Sequence, residues 1–384
     1  MKNKIIILLL IIVIVIFGIV SYIFIKNKNK EDDSLEFIGE LSGQINQDIE
    51  RETKEEDVLE GIVVDSEQID LSSYTENVTL KKGGKYILTG DLNGTLRIDT
   101  DEEITLDLNN VNIKGQISSA IVNLQKNNLI INLLENTINN LEDNGNSVYD
   151  ACIYSNGNII IKGTGELNIT SKQIYSEGIA TNDSDITINS GTLNINSTDD
   201  GINTGGDNGG TITINDGNIL ITSTGDALDS NKDIIINNGT LYAVGGATGS
   251  DGALDSDKGI IINGGIVIGT GYNYIETPLI ESTQNTILVN LDKTINRDIV
   301  VSLTNEFSNE LITFNSLNKF NKLTISHPYI SLGDYMLYTN NSYNGNIIQG
   351  IYYDGEVTLK DVINFDGNSI ISIYDSITEV NAKN

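Results

Sequence analysis

Three copies of one short, carboxylate-bearing phrase lie in the middle of the chain, and each copy carries side chains from which an ion-binding site could be built. The copies are Asp199-Asp200-Gly201-Ile202-Asn203-Thr204, Gly225-Asp226-Ala227-Leu228-Asp229-Ser230 and Asp251-Gly252-Ala253-Leu254-Asp255-Ser256. Their central residues Ile202, Leu228 and Leu254 recur every 26 residues, and fainter copies centred on Ile153 and Ile179 precede them. Recurrence at a fixed period of this length indicates a stacked repeat.

Stacking would bring the carboxylates of successive copies together. Rungs of a stacked β-coil lie about 4.8 Å apart, which makes Asp229 and Asp255 vertical neighbours, as are Glu177, Asp200 and Asp226. Two bare carboxylates about 5 Å apart repel by about 3 kcal/mol at an effective dielectric of about 20. Such carboxylates must be protonated, turn into solvent or share a cation. A site with only oxygen ligands favours a hard cation, and Ca²⁺ is the first choice.

A second interpretation assigns these aspartates to turns, where their side chains would accept hydrogen bonds from local backbone amides. It explains isolated residues such as Asp107 and Asp216. It explains the stacked pairs less well, because a turn preference does not require like charges in one column. We therefore expect Ca²⁺ as the cofactor. The predicted ligands are Asp199, Asp200, Asp226, Asp229, Asp251, Asp255 and Glu177.

Two further columns indicate the elements that must position these side chains. They are the glycines Gly165, Gly191, Gly217, Gly239 and Gly265, and the asparagines Asn189, Asn215, Asn237 and Asn263. Between the columns lie short runs such as Ile212-Thr213-Ile214, and β-branched runs broken by Gly, Asn and Asp indicate strands and turns. A coil of 22 to 26 residues matches one rung of a parallel β-helix, whose rungs must stack to bury their apolar faces. The asparagine column predicts a structural ladder of amide hydrogen bonds.

Composition divides the chain into five predicted segments. They are a cytoplasmic tip (1–4), a transmembrane anchor (5–25), an acidic stalk (26–60), a parallel β-helix repeat domain (61–271) and a C-terminal β-rich cap or small module (272–384). The fold class expected is thus all-β, preceded by one N-terminal helix. An uncapped β-helix would leave a bare strand edge, which favours some form of cap after the last repeat.

The anchor prediction rests on 21 consecutive uncharged residues, 5–25, rich in Ile, Leu and Val. That length of helix crosses a bilayer core of about 30 Å, and no small-x-small exit typical of a cleaved signal peptide follows it. Two lysines precede the segment and three follow it, so a charge count alone slightly favours the opposite orientation. The acidic, turn-rich repeat domain favours export, which predicts a single-pass cell-membrane protein with an extracellular repeat domain.

The acidic composition limits the partners of the exported part. The chain has 53 acidic and 23 basic residues and a net charge of −30, so nucleic acid and anionic membrane surfaces are excluded as partners. The single cysteine, Cys152, stands in the column of small residues and is predicted to be a buried side chain rather than a reactive thiol. The single histidine, His327, is expected to have no catalytic or metal role.

Taken together, the three phrases resemble a family of exported bacterial carbohydrate-binding β-helix proteins. The segments Thr105-Leu106-Asp107-Leu108-Asn109-Asn110-Val111 and Asn136-Thr137-Ile138-Asn139-Asn140-Leu141 are similar to the first coils of that family, and the likeness extends from about Val78 to about Asn340. The resemblance implies a right-handed parallel β-helix related in fold to pectate lyases. It also implies binding of plant cell-wall polysaccharides, acidic pectic ones included, with calcium at Asp199, Asp200, Asp226, Asp229, Asp251 and Asp255. The chain departs from the family pattern at Ala227, Lys232 and Lys258, and these lysines would lower the number of calcium ions.

Three functions follow from these features. A binder would use calcium to bridge protein and polymer carboxylates; its predicted sugar contacts are Lys232, Lys258, Tyr242, Tyr272 and Tyr274. A calcium-dependent polysaccharide lyase would need a positioned Arg or Lys base, but no arginine lies between Arg97 and Arg297. A structural adhesin or spacer would use calcium only for stiffness. We predict the first: a cell-surface, calcium-binding, non-catalytic carbohydrate-binding protein.

Overall fold

The computed structural model describes residues 61–145, 149–249, 251–365 and 368–382. In these ranges the regular elements are β-strands and one short 3₁₀ helix, Leu71–Ser73, and no helix there is long and apolar enough to span a membrane. The predicted cytoplasmic tip (1–4), membrane anchor (5–25) and acidic stalk (26–60) lie outside the described residues and stay predictions.

The strands that carry the repeats come first in the described chain. They are β1 (Ile62–Val63), β2 (Gln68–Asp70), β3 (Val78–Leu80), β4 (Gly84–Leu92), β5 (Leu96–Ile98), β6 (Ile104–Lys114), β7 (Ile121–Asn123), β8 (Leu129–Leu133), β9 (Ile138–Glu142), β10 (Ala151–Ser155), β11 (Ile159–Gly163), β12 (Glu166–Thr170), β13 (Glu177–Asn182), β14 (Ile186–Ile188), β15 (Thr192–Asn196), β16 (Ile202–Gly205), β17 (Ile212–Ile214), β18 (Asn218–Thr222), β19 (Leu228–Ser230), β20 (Asp233–Ile236), β21 (Thr240–Val244), β22 (Leu254–Ser256), β23 (Gly259–Ile262) and β24 (Ile266–Gly271).

These strands coil into a parallel β-solenoid, which confirms the prediction of an all-β parallel β-helix. Within the described ranges, one side is a nine-stranded sheet in the order β1-β3-β5-β7-β10-β13-β16-β19-β22. On the other two sides, β8, β11, β14, β17, β20 and β23 pair in parallel, as do β9, β12, β15, β18, β21 and β24. From β7 onward each coil therefore contributes one strand to each side, whereas the longer β6 of the preceding coil pairs with both β8 and β9.

Alternation along the strands builds the solenoid core. Ile212 and Ile214 point inward and are buried, whereas Thr213 between them points outward and is half-buried. Burial of each such side chain contributes about 1.5–3 kcal/mol, and the same pattern recurs in every coil from Val64 to Val267. Burial of this aliphatic stack stabilises the folded solenoid and offsets the repulsion between acidic side chains on its outer surface.

The glycine and asparagine columns have structural roles, as predicted for the asparagines. Gly217 has a φ of 125°, and a Cβ on it would lie 2.9 Å from the carbonyl oxygen of Gly191 in the preceding coil. Asn215 donates to Asn189, Asn237 to Asn215 and Asn263 to Asn237, with Nδ2 to Oδ1 distances of 2.8, 2.8 and 2.9 Å. The turns are therefore tied together along the solenoid axis.

Cys152 and His327 are both buried, and Cys152 is a free thiol inside the solenoid core. Its column admits only small side chains, since a Cβ on Gly178 would lie 2.3 Å from Cγ2 of Ile195. Burial raises the pKa of the Cys152 thiol well above its ordinary value, which makes it unreactive. The His327 ring accepts a hydrogen bond from the backbone N–H of Tyr329 at Nδ1, at 3.1 Å. The predicted buried position of Cys152 is confirmed.

After Gly271 the pairing becomes mainly antiparallel. The strands are β25 (Thr286–Ile295), β26 (Val300–Asn305), β27 (Glu310–Asn315), β28 (Phe320–Ser326), β29 (Gly333–Thr339), β30 (Ser342–Tyr343), β31 (Asn346–Ile348), β32 (Ile351–Tyr353), β33 (Val357–Thr358), β34 (Asp361–Val362), β35 (Ile371–Ile373) and β36 (Ile377–Asn381). β28 pairs antiparallel with β24 and with β25, and a separate sheet in the described residues runs β31-β32-β27-β26-β29-β34. The first and last strands of this part, β25 and β36, pair with each other in parallel.

Tyr242 joins this antiparallel part to the solenoid. Its side chain is 0% exposed, its hydroxyl donates to the carbonyl oxygen of Asn315 at 2.9 Å, and its ring meets Phe314 edge-on with centroids 5.6 Å apart. The prediction that Tyr242 stacks on a sugar ring is wrong. The antiparallel strands pack over the outer side of β21, so a residue that alternation assigns to the surface is an interior anchor.

Candidate functional site

The repeat carboxylates lie on the outer side of the nine-stranded sheet, in two adjacent columns. Parallel pairing aligns Ile179, Ile202, Leu228 and Leu254. The residues two positions earlier form the first column: Glu177, Asp200 and Asp226. The residues one position later form the second column: Asn203, Asp229 and Asp255. We call these six side chains the acidic face. All six are half-buried, and Asp229 and Asp255 are direct register partners, as the repeat spacing predicts.

The first column caps the backbone of the following coil. Asp200 accepts a hydrogen bond at Oδ1 from the backbone N–H of Asp226 at 2.7 Å, and Asp226 accepts one at Oδ1 from the N–H of Gly252. The turn-capping interpretation is thus correct in part, except that each acceptor serves an amide one coil further along rather than a local one. Such bonds orient the carboxylates and leave their second oxygens for other partners.

Asn203 links the two columns. Its Nδ2 donates to Oδ2 of Asp200 at 2.9 Å and to Oδ2 of Asp229 at 3.2 Å. The carboxyl groups of Asp200 and Asp229 are themselves within hydrogen-bonding reach of each other. A proton or a cation between the two carboxylates would relieve their mutual repulsion.

Burial and mutual repulsion raise the pKa values of these carboxyl groups. Burial, reinforced by the charge of Asp200, raises the pKa of Asp226 to about 8. Burial, with the charges of Asp200 and Asp255, raises the pKa of Asp229 to about 7. The pKa of Asp200 is also raised, mainly by burial. A nearby cation would reverse these shifts, since it favours the ionised form.

Two carboxylate oxygens beside the acidic face are buried without a hydrogen-bond partner: Oε2 of Glu177 and Oε2 of Glu276. Burial, with the charge of Asp150, raises the pKa of Glu177 well above its usual value. Burial, with the charge of Asp255, raises the pKa of Glu276 to about 7. Buried polar atoms without partners are uncommon, so both oxygens lack the hydrogen bond or cation that would normally accompany their burial. Glu276 was not expected from the sequence, because it follows the last repeat and has no equivalent in any earlier coil.

Tyr274 closes the downstream end of the acidic face. Its hydroxyl donates to Oδ1 of Asp255 at 3.1 Å. Its ring occupies the space left by the missing side chain of Gly252, where a Cβ would lie 2.7 Å from Cδ1 of the ring. A half-buried tyrosine fixed in this way forms a wall of the site.

The two remaining predicted calcium ligands, Asp199 and Asp251, lie beside the acidic face. Asp199 and Asp251 are half-buried and stand in one column with Gly225 between them; a Cβ on Gly225 would lie 2.8 Å from Oδ1 of Asp199 and 2.3 Å from Oδ1 of Asp200. The absence of a side chain at Gly225 therefore lets both carboxylates approach. Burial raises the pKa of Asp251 as well.

The predicted sugar-contacting lysines follow the strands of the nine-stranded sheet. Lys232 is half-buried and Lys258 exposed, and the backbone N–H of Lys258 donates to the carbonyl oxygen of Lys232 at 3.0 Å. In the described residues neither forms an ion pair with a carboxylate of the acidic face. Tyr272 is half-buried, with Nζ of Lys319 4.9 Å from its ring centroid.

The donor chemistry of the acidic face suits a hard cation, although its geometry is incomplete. In the described ranges, no three or more His, Cys, Asp or Glu side chains are arranged as a metal-binding group. The acidic face instead offers close carboxylate pairs, an amide and the orphaned oxygens of Glu177 and Glu276. Calcium takes six to eight oxygen ligands, waters included. These residues therefore fit calcium only if water or a bound ligand supplies further oxygens.

Comparison with known proteins gives two matches. A family described as "Carbohydrate-binding domain-containing protein" matches residues 74–273 and 186–297, which together span 74–297, or 224 of 384 residues. Among solved structures, the chain is similar to the "polysaccharide lyase-like protein from C. thermocellum", a gadolinium derivative, with 25% identity, TM-score 0.40, and coverage of 52% of this chain and 97% of that one. No curated protein matches. The family match contains the whole acidic face.

Proposed function

The chain belongs to the family of carbohydrate-binding domain-containing proteins, and we propose that it is a calcium-dependent, non-catalytic binder of acidic polysaccharide on the outer face of the cell. One observation carries the proposal: half-buried carboxylates with raised pKa values are stacked in two columns on successive coils. Calcium on this face would neutralise carboxylates whose crowding otherwise holds protons at neutral pH.

The protein residues would hold the ion only in part. Asp200, Asp229 and Asp226 are the central donors, with Asp255 and the orphaned Oε2 of Glu177 beside them. When bound, calcium would supply a positive centre to which carboxylates of two different molecules can be attached. Since this face lacks a complete ligand set, uronate carboxylates of a polysaccharide are suitable partners to fill it, and affinity for the polymer would then depend on calcium.

A binding role is favoured over a lyase because no Lys or Arg is positioned as a base. Proton abstraction needs a basic side chain within hydrogen-bond reach of the substrate. Among the described residues, no Lys or Arg is within ion-pair distance of Asp200, Asp226, Asp229 or Asp255. The side-chain amide of Asn203 and the phenol of Tyr274 donate hydrogen bonds to these carboxylates, and neither group is a base at neutral pH.

The predicted N-terminal anchor supports the cellular part of the proposal. Residues 5–25 would keep the solenoid at the membrane, and the extracellular side is where calcium is abundant enough for weak sites. The anchor lies outside the described residues and rests on the sequence alone.

Sedimentation of the full chain with insoluble polygalacturonate tests the proposal. We expect binding in calcium, release by EDTA, and no increase in the absorbance of unsaturated products. Asp229→Asn should weaken retention about tenfold, whereas Asp101→Asn, at an exposed aspartate away from the acidic face, should not. Retention that is insensitive to EDTA would refute the calcium requirement, and a rise in unsaturated products would replace the binder with a lyase.

A further inference from the structure

Tyr149 and Tyr154 lie together at the upstream end of the acidic face, and Tyr175 lies in the turn that precedes the neighbouring strand β13. The rings of Tyr149 and Tyr154 are 5.1 Å apart between centroids and inclined by 50°. Ala151 is the register partner of Glu177, and the backbone N–H of Glu177 donates to the carbonyl oxygen of Asp150 at 2.7 Å. Tyr149 and Tyr175 each lie two residues before these partners, just before the starts of β10 and β13 on successive coils.

The tyrosine cluster continues the second column of the acidic face. Tyr154 is the register partner of Ala180, and Ala180 is the partner of Asn203. At about 4.8 Å per coil, Tyr154 and Asn203 are about 10 Å apart. In this column Ala180 is the residue between them, and its small side chain is itself buried. A ligand lying along the column would meet the aromatic cluster and the carboxylates in turn.

The turn that carries Tyr175 exposes apolar surface beside these charges. Ile174 is 78% exposed and Tyr175 49% exposed. The φ of Tyr175 is 56°, a region that Gly and Asn adopt readily and a bulky residue adopts with strain. A large ring at this backbone position therefore points to a requirement for the ring, because a smaller residue would suit the turn better.

We propose that Tyr149, Tyr154 and Tyr175 form an aromatic subsite that stacks on the face of one pyranose ring of the polysaccharide, while the acidic face binds the sugars that follow it. This inference rests on the proposed function. It adds the position at which one sugar ring of the bound polysaccharide stacks on the protein. A sugar ring has an apolar C–H face and a polar rim. Tyrosine suits both, with a flat apolar body and a hydroxyl at its edge.

A ring-stacking subsite would make sugar affinity depend on Tyr175 without a change in calcium affinity. The full chain contains no tryptophan and 16 tyrosines, so calorimetric titration measures the affinities, and a change in tyrosine fluorescence that is lost in the variant identifies the contribution of its ring. The variants are Tyr175→Asn, which suits the left-handed backbone and removes only the ring, and Tyr374→Asn as a matched control, because Tyr374 is 85% exposed in the antiparallel part. The probes are an oligogalacturonide with calcium, a neutral cello-oligosaccharide, and calcium alone.

Tyr175→Asn should weaken binding of the oligogalacturonide about three- to tenfold, the usual range for a lost aromatic contact, with unchanged affinity for calcium alone. Tyr374→Asn should match the unmodified protein. Equal sugar affinity of Tyr175→Asn and the unmodified protein would overturn the subsite and leave the proposed function intact. Binding of the neutral sugar that Tyr175→Asn abolishes would support the subsite even if calcium had no effect. Failure of the unmodified protein to bind either sugar would overturn both proposals.

Discussion

The phenol oxygen of Tyr274 donates a hydrogen bond to Oδ1 of Asp255 at 3.1 Å, and this contact joins the segment after the last solenoid strand to the acidic face. The Tyr274 ring lies over Gly252, whose missing side chain makes the space for it. Burial, with the charge of Asp255, raises the pKa of the Tyr274 phenol. The hydroxyl therefore stays protonated at physiological pH and remains a donor to the carboxylate.

Replacement of Gly252 by alanine should displace this wall. The new Cβ would lie 2.7 Å from Cδ1 of Tyr274, so the ring must move and Asp255 must lose its donor. We expect Gly252→Ala to reduce the free energy of unfolding by about 1–3 kcal/mol and to weaken calcium binding. Tyr274→Phe keeps the ring and removes only the hydrogen bond, so its effect should be smaller. Tyr272→Phe is the control, and calorimetry with calcium titration measures all three. Identical calcium affinity in Gly252→Ala and the unmodified protein would show that Tyr274 is not part of the site.

The stability of the calcium-free protein should fall as the pH rises from about 4 to about 8. The folded-state pKa values of Asp226 (about 8), Asp229 (about 7) and Glu276 (about 7) are raised above unfolded values of about 4. The folded state therefore binds protons more tightly than the unfolded one. The resulting stabilisation is complete below about pH 4 and is lost as the pH passes about 7 to 8.

Calcium should remove most of this pH dependence. The ion binds the ionised carboxylates of the folded state, and at about 100 times its dissociation constant it adds about 2.7 kcal/mol to the free energy of unfolding. Thermal unfolding at pH 5 and pH 8, with EDTA or with excess calcium, measures both effects. The melting temperature in EDTA should be lower at pH 8 than at pH 5. A melting temperature at pH 8 that calcium leaves unchanged would argue against an ion on the acidic face.

Asp229→Asn should have opposite effects with and without calcium. The amide removes one of the charges that raise the pKa of Asp226 and can donate to Asp200, so the calcium-free variant should be more stable than the unmodified protein at pH 8. In calcium the order should reverse, because a charged ligand is lost. Asp101→Asn, at an exposed site, should be neutral in both conditions. Chemical denaturation at pH 8 measures the difference, and destabilisation of Asp229→Asn in EDTA would show that the carboxylate is a structural acceptor instead.

The sequence could predict relationships between equivalent positions of successive coils, because periodicity reports those contacts directly. The pairing of Asp229 with Asp255 and the small-residue environment of Cys152 both follow from the 26-residue spacing. The burial of Tyr242 could not be predicted in this way. It depends on Phe314 and Asn315, more than 70 residues away along the chain, in strands that share no period with the repeat.

Periodicity could not predict the rest of the candidate site either. Glu276 belongs to a segment that occurs once, and its approach to Asp255 is decided by the path of the chain after β24. The backbone partner of the Asp200 carboxylate is an amide of the next coil, whereas residue type alone suggested a local turn. Tyr149 and Tyr175 recur in only two coils, which is too few to stand out as a column.

The asparagine ladder allows the structural columns to be separated from the functional ones. Asn237 donates to Asn215 at 2.8 Å and accepts from Asn263 at 2.9 Å, so Asn237→Ala breaks two hydrogen bonds and leaves both neighbours short of a partner. We expect a loss of about 1–3 kcal/mol in the free energy of unfolding, measured by urea denaturation in calcium. Asn263→Ala, nearer the end of the ladder, loses the hydrogen bonds that Asn263 makes with Asn237 and Thr283. Its loss of stability can be compared with that of Asn237→Ala. Calcium and oligogalacturonide affinities should be unchanged in both variants, because the ladder contacts no residue of the acidic face. A variant of Asn237 with normal stability and weakened sugar binding would place the polysaccharide on this side of the solenoid instead.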